Sequence, residues 1–313
     1  MSAHRINEKT RGVYVISVTP FRDDGRLDLQ SVESLMQFYL DAGVDGIVIL
    51  GMMGEAGKLG DEESRIFART VFEVVDGRVP VAVGVSNAGL GNLVGLAHDV
   101  MEMGAAGVMV APLNSLRTDA QIAAYFTAVC AGLGEDVPVI LQDFPLATTV
   151  QMSPPLIDRL VEDLPQIAML KHEDWPGLNK LTALRETEAS GRRRRISILT
   201  GNGGLHLPQE LDRGADGAMT GFCFPEMLVE VCAAHAAGDR DRAEDIFDAY
   251  LPLVRHEAQP GLGLAFRKEA LHRRGAIASP FVRQPGPKLT RSDMKDMDRL
   301  IDRVHRRLEK LEG

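Results

Sequence analysis

Cysteine is scarce in this 313-residue chain, which carries three: Cys130, Cys223 and Cys232. The number is odd, and none sits in a C-x-x-C or Cys/His cluster. That pattern excludes a disulfide scaffold and structural zinc, and it suits a reducing cytoplasm. No apolar run approaches the ~18–20 residues of a membrane span, and the opening MSAHRINEKTRG has no apolar core of a signal peptide. Positive charge is not in surplus: the net charge is −9 and the isoelectric point about 5.4. That balance argues against nucleic acid and anionic membranes as partners. The one basic run, Arg192 to Arg195, has no interleaved aromatic and reads as a solvated loop between a helix and a strand. No G-x-G-x-x-G follows an early strand, so a dinucleotide-binding doubly wound sheet lacks its fingerprint.

What the chain does contain is a repeated alternation. Eight short apolar runs read as strands: 14–19, 46–50, 80–85, 107–111, 138–143, 167–173, 196–202 and 217–222. They are nearly continuous in apolar character, as parallel strands buried on both faces are. Amphipathic segments separate them. Val32, Leu35, Met36, Tyr39 and Leu40 share one helical face, and Leu93, Leu96, Ala97, Val100 and Met101 repeat the pattern. Ser153-Pro154 reads as an N-cap followed by proline in the first turn. Eight strand–helix units imply an α/β fold, a (β/α)8 TIM barrel over 11–236. Residues 237–313 read as a C-terminal helical extension packed on the barrel, with helices over 239–256, 260–273 and 291–311.

In such a barrel, chemistry lies at the C-terminal ends of the strands. The stretch IAMLKHEDWPG, residues 167–177, stands out there, because only eight lysines occur beside 27 arginines and Lys171 ends an apolar strand. A lysine so placed loses solvation, which lowers its pKa. A neutral amine forms a Schiff base with a ketone. The alternative is a lysine that merely pairs with a carboxylate. Glu173, two residues on, faces the same side and serves either reading, as acid/base or as ion-pair partner. His172 faces the other way, and adjacent strand residues make a poor metal site, so no metal is expected. GMMGEAG, residues 51–57, is a glycine-flanked turn whose amides can approach an anion closely.

Several ordered motifs then coincide: VTPF (18–21), G-x-x-G-E (51–55), Pro112, Pro145, the strand-six Lys171, GAMTGF…P (217–225) and K-x-A-L (268–271). Over roughly residues 11–311 the chain resembles the dihydrodipicolinate synthase / N-acetylneuraminate lyase family. The resemblance implies a barrel with C-terminal helices, usually a tetramer, whose Lys171 forms an imine with pyruvate or another 2-keto acid. It needs no cofactor beyond that covalent imine. The family's threonine pair is replaced by Met52 and Met53, although their amides remain available to a carboxylate. Its strand-five tyrosine is replaced by Gln142, its tyrosine pair after strand four by Leu113 and Asn114, and the synthases' arginine by Ala147.

Gln142-Asp143 on strand five with Lys171-x-Glu173 on strand six is similar to the branch that dehydrates 2-keto-3-deoxy sugar acids. The implied catalytic set is Lys171, Glu173 and Gln142. The implied substrate-binding set is Met52, Met53, Thr19, Asn114, Asn202 and Phe222, with Phe144 and Trp175 at the distal end. Two alternatives stay open: a pyruvate-dependent aldolase or synthase using the same imine, and a catalytically silent keto-acid sensor.

Overall fold

The eight apolar runs are eight strands in the computed structural model, which describes residues 4–312. They are β1 (Gly12–Ile16), β2 (Gly46–Ile49), β3 (Val81–Gly84), β4 (Gly107–Val110), β5 (Val139–Asp143), β6 (Ile167–His172), β7 (Ser197–Thr200) and β8 (Gly217–Thr220). Each pairs in parallel with the next, and β8 closes onto β1. Most observed strands are shorter than the apolar runs because the runs continue into the loops above the barrel.

Side chains of alternate residues split into two cores. Val13, Val15, Ile47, Val83, Leu141 and Ile198 face the helices. Tyr14, Val48, Ala82, Met109, Ile140, Met169, Leu199 and Met219 fill the interior, one from each strand. Strand β6 breaks the alternation. Val139 pairs with Ile167, but Ile140 pairs with Met169, so Ala168 is an extra residue in the ladder. Ile167 and Leu170 therefore face outward, while Ala168 and Met169 both reach the interior. This bulge reverses the facing of every later residue of the strand. Without it, Lys171 would share the outward face of Ile167.

The helix Pro154–Asp163 starts as its sequence suggests, with Ser153 Oγ accepting from the Leu156 amide and proline in the first turn. Beyond the barrel come the helices Arg240–Glu257, Gly263–Arg273 and Arg291–Glu312. The second begins three residues later than the 260–273 expected, because Gly261 adopts a left-handed φ of +81° after Pro260. It is fastened to the barrel mouth through Lys268, whose Nζ lies 2.5 Å from Glu55 Oε1 and 2.8 Å from the Phe281 carbonyl. Glu55 also takes Lys58 Nζ and the Arg283 amide, each at 3.0 Å. Phe21 lies beneath, with Lys268 Nζ 4.4 Å from its ring centre. Residues from VTPF, G-x-x-G-E and K-x-A-L thus meet at one buried joint.

The arginine run is a solvated loop only in part: Arg192 and Arg195 are exposed, but the two between them are not. Arg193 is buried, in ion pairs with Asp158 at 2.8 Å and Glu188 at 3.3 Å. Arg194 donates to the carbonyls of Val161, Leu164 and Ile167, and Arg195 pairs with Glu188 and Asp216. The run stitches the helices before β6 and β7 to the barrel floor, which composition alone does not reveal.

Candidate active site

Gln142 and Lys171 are direct partners across β5 and β6. Both face inward, Gln142 by regular alternation and Lys171 through the Ala168 bulge. The Glu173 amide continues the ladder by donating to the Asp143 carbonyl at 2.9 Å, so Glu173 also faces inward, one step above Lys171. One oxygen joins the three: Glu173 Oε2 lies 3.1 Å from Lys171 Nζ and accepts from Gln142 Nε2 at 2.7 Å. All three side chains are buried. The carboxylate is therefore held by a neutral amide on one side and faces the amine on the other.

The opposite face of the same strands carries its own charges. His172 Nε2 lies 3.0 Å from the Gly177 carbonyl, and Lys180 Nζ sits 2.5 Å from Asp143 and 3.1 Å from Asp174. As expected, His172 belongs to this outer layer. Asp143 is neutralised there by Lys180, which keeps it out of the inner pair's business.

Lys171 and Glu173 open onto a cavity of about 630 Å³. Met53, Phe144, Trp175, Asn202 and Phe222 contribute to its walls. Three other expected binding residues are not brought to it. Thr19 is fully buried, and its hydroxyl donates to the Gly54 carbonyl at 2.6 Å, so it holds the turn rather than a ligand. Met52 is 43% exposed and is not among the residues that line the cavity. Asn114 is exposed in the loop after β4, with its carbonyl accepting from Arg117. For Asn114 the reason lies in the shape of the cavity. The cavity leans toward β5–β8 and the C-terminal helices, and the loops after β3 and β4 do not line it. Ser86 illustrates this: its hydroxyl accepts from the Ala111 amide at 2.9 Å. The short helix Met52–Gly54 closes through the Gly54 and Glu55 amides, so the amides of Met52 and Met53 start it without partners inside it.

Three charged residues at the site escaped sequence reasoning. Glu257 and Arg267 line the cavity from the C-terminal helices, paired at 2.6 Å. Glu210 is buried behind Thr200, and burial pushes its carboxyl up from 4.5 to about 7. Its Oε2 has no hydrogen-bond partner among the described residues. Each lies on a helix where an isolated charge has no periodic or motif signal. Among the described residues, no group of three His, Cys, Asp or Glu side chains is arranged to hold a metal ion.

Comparison with known proteins agrees with this geometry. Residues 9–304 match the dihydrodipicolinate synthetase family. L-2-keto-3-deoxyarabonate dehydratase of Azospirillum brasilense is 32% identical over 299 residues, covering 93% of this chain and 94% of that one. A crystal structure of dihydrodipicolinate synthase from Rhodopseudomonas palustris superposes with a TM-score of 0.94 at 46% identity, covering 96% of this chain and all of that one. A prophage protein of the dihydrodipicolinic acid synthase family from E. coli K12, solved in complex with pyruvate, superposes at 0.86 with 26% identity over 94% of this chain and 98% of that one. With its closed barrel, its strand-six lysine at a cavity and a match along nearly its whole length, the chain belongs to the dihydrodipicolinate synthetase family, as a Schiff-base lyase.

Proposed function

We propose that the protein dehydrates a 2-keto-3-deoxy sugar acid through an imine on Lys171. The observation that carries this is the single carboxylate oxygen of Glu173, 3.1 Å from Lys171 Nζ and 2.7 Å from Gln142 Nε2. Gln142 cannot titrate, so the proton-moving group beside the lysine is Glu173.

The steps follow from that placement. Glu173 takes a proton from Lys171, and the freed amine attacks the C2 carbonyl carbon. The C2 oxygen takes that proton back from Glu173 and a second one from the attacking nitrogen and leaves as water, so that a protonated imine and an ionised Glu173 remain. That cation acidifies the C3 hydrogen. Glu173 removes the C3 proton, and the electron pair flows to the imine as an enamine. The enamine then expels the C4 hydroxyl, which takes the proton from Glu173 and leaves as water. Hydrolysis of the unsaturated imine returns Lys171 and releases the keto product. The net change is loss of one water, and the chemistry requires no metal or organic cofactor.

Met53, Phe144, Trp175, Asn202 and Phe222 are read as substrate-contacting. The amides of Met52 and Met53 are read as the place for the C1 carboxylate. Thr19 and Asn114 are given no part in binding. The 2-keto acid is the expected partner. A homotetramer in the cytoplasm is the expected setting, and no helix among the described residues is long and apolar enough to cross a membrane.

An aldolase or synthase is the second reading, and the name of the R. palustris structure favours it. Against it stand Gln142 in place of the tyrosine and Ala147 in place of the arginine that the synthases use. The test is borohydride trapping with pyruvate and mass measurement, followed by an assay of 2-keto-3-deoxy acids. An adduct on Lys171 and a product lighter by one water support the proposal. Pyruvate released without dehydrated product favours the aldolase, and no adduct favours a sensor.

A further inference from the structure

Just past strand β8, one inward-facing position sends no side chain into the mouth of the barrel. Met219 faces the interior, so position 221, two residues on, faces the same way. That position is Gly221. A β-carbon there would lie 2.2 Å from Nη1 of Arg267 and 2.8 Å from its Cζ. The space of the missing side chain is filled by a guanidinium sent in from the helix Gly263–Arg273.

The guanidinium is fixed on two sides. Nε donates to Glu257 Oε1 and Nη2 to the Gly221 carbonyl, both at 2.6 Å. Glu257 Oε2 is itself held by the Cys223 amide at 3.0 Å. Arg267 is 5% exposed, and its Nη1 has no hydrogen-bond partner among the described residues. An unpaired buried donor costs free energy unless something accepts from it. Arg267, Glu257 and Gly221 line the same cavity as Lys171 and Glu173.

We propose that Arg267 Nη1 is the donor that recognises a hydroxyl at the distal end of the substrate, making Arg267 a specificity-determining residue. This rests on the imine reading of Lys171 and names what the far end of the cavity selects. The positive charge of Arg267 is already matched by Glu257. A second carboxylate on the substrate would therefore meet a neutral pair and the Glu257 carboxylate, whereas a hydroxyl accepts from Nη1 without adding charge. A cavity of about 630 Å³ also leaves room well beyond a three-carbon keto acid.

The test compares two probes, 5-hydroxy-2-oxopentanoate and 2-oxopentanoate, in the native protein and in Arg267→Lys and Arg267→Met. Borohydride trapping on Lys171 is read as the half-saturating concentration of each probe. The native protein is expected to favour the hydroxylated probe by about tenfold or more, a preference one good hydrogen bond supports. Both variants should lose that preference while still trapping pyruvate, and melting curves check that they remain folded. If Arg267→Met does not fold, Arg267→Lys, which keeps the charge but not the fork, decides alone. An equal preference in native protein and variant overturns the proposal, as does a native protein that does not distinguish the probes. Failure of the native protein to trap any keto acid overturns the imine reading and this inference with it, a result distinct from trapping without discrimination.

Discussion

Glu173 occupies the space that a side chain at position 201 would need. A β-carbon on Gly201 would lie 2.3 Å from Glu173 Cγ and 2.5 Å from its Oε1. The glycine that follows β7 is thus part of what aims the carboxylate at Lys171.

Gly201→Ala is therefore expected to move the Glu173 side chain off its line with Lys171 and Gln142. Turnover of a 2-keto-3-deoxy acid should fall at least about tenfold, at a stability cost of about 1–3 kcal/mol for the overpacking. Steady-state rates and a melting curve measure both. Unchanged turnover would show that the position of Glu173 does not matter to the reaction.

Glu173→Gln keeps the shape and removes the titrating oxygen. The turnover number should drop by roughly 10²–10⁴, the usual worth of a general acid/base. The end-point yield of borohydride-trapped pyruvate should stay near that of the native protein, since solvent can deprotonate Lys171 slowly. Loss of the adduct together with turnover would assign Glu173 to imine formation alone.

Glu210 predicts a pH dependence of stability. Its carboxyl is raised by burial from 4.5 to about 7 in the folded protein. Below pH 4.5 the group is neutral in both states. Between pH 4.5 and 7 the unfolded chain loses the proton and the folded one keeps it, so stability falls as pH rises through that window. The fall attributable to this group is on the order of 3 kcal/mol. In Glu210→Gln the decline in melting temperature over that window should be visibly smaller. Parallel curves for the two proteins would mean that Glu210 ionises normally.

The joint at Glu55 makes a different prediction. Lys268 is fully buried, and burial pulls its ammonium down to about 8 despite Glu55 beside it. Glu55→Gln strips this cation of its partner and should cost about 3 kcal/mol in urea unfolding. The double replacement Glu55→Gln with Lys268→Met should recover part of that loss, because neither charge is then left alone. A double variant as unstable as the sum of its singles would count against the pairing.

Much of this molecule is legible in one dimension. Strand positions from Gly12 to Thr220 fall within the eight apolar runs or a residue or two of them. Two-sided burial leaves a signal in consecutive residues, and helices over the barrel repeat theirs every three or four. Lys171 is conspicuous for the same reason, as a charge at the end of an apolar run. Thr19, Met52 and Asn114 show the limit. A position at the top of a strand says that a residue is near the mouth, but not whether its side chain is already spent on a neighbour. Arg193 shows it too: its partners Asp158 and Glu188 belong to helices whose packing no local pattern encodes.

The sequence by itself determined the eightfold strand–helix repeat, the helical extension and a lysine beside a glutamate two residues on, because these depend on burial and spacing along the chain. Which way that lysine faces was decided by the tertiary structure, since only the pairing with β5 reveals that Ala168 is supernumerary and that Lys171 turns inward. The same holds for Gln142 against Glu173, for Gly201 beneath it and for Arg267 in the space of Gly221. These contacts join segments far apart in the chain, and a charge or a missing β-carbon acquires its meaning only from what closure of the barrel sets against it.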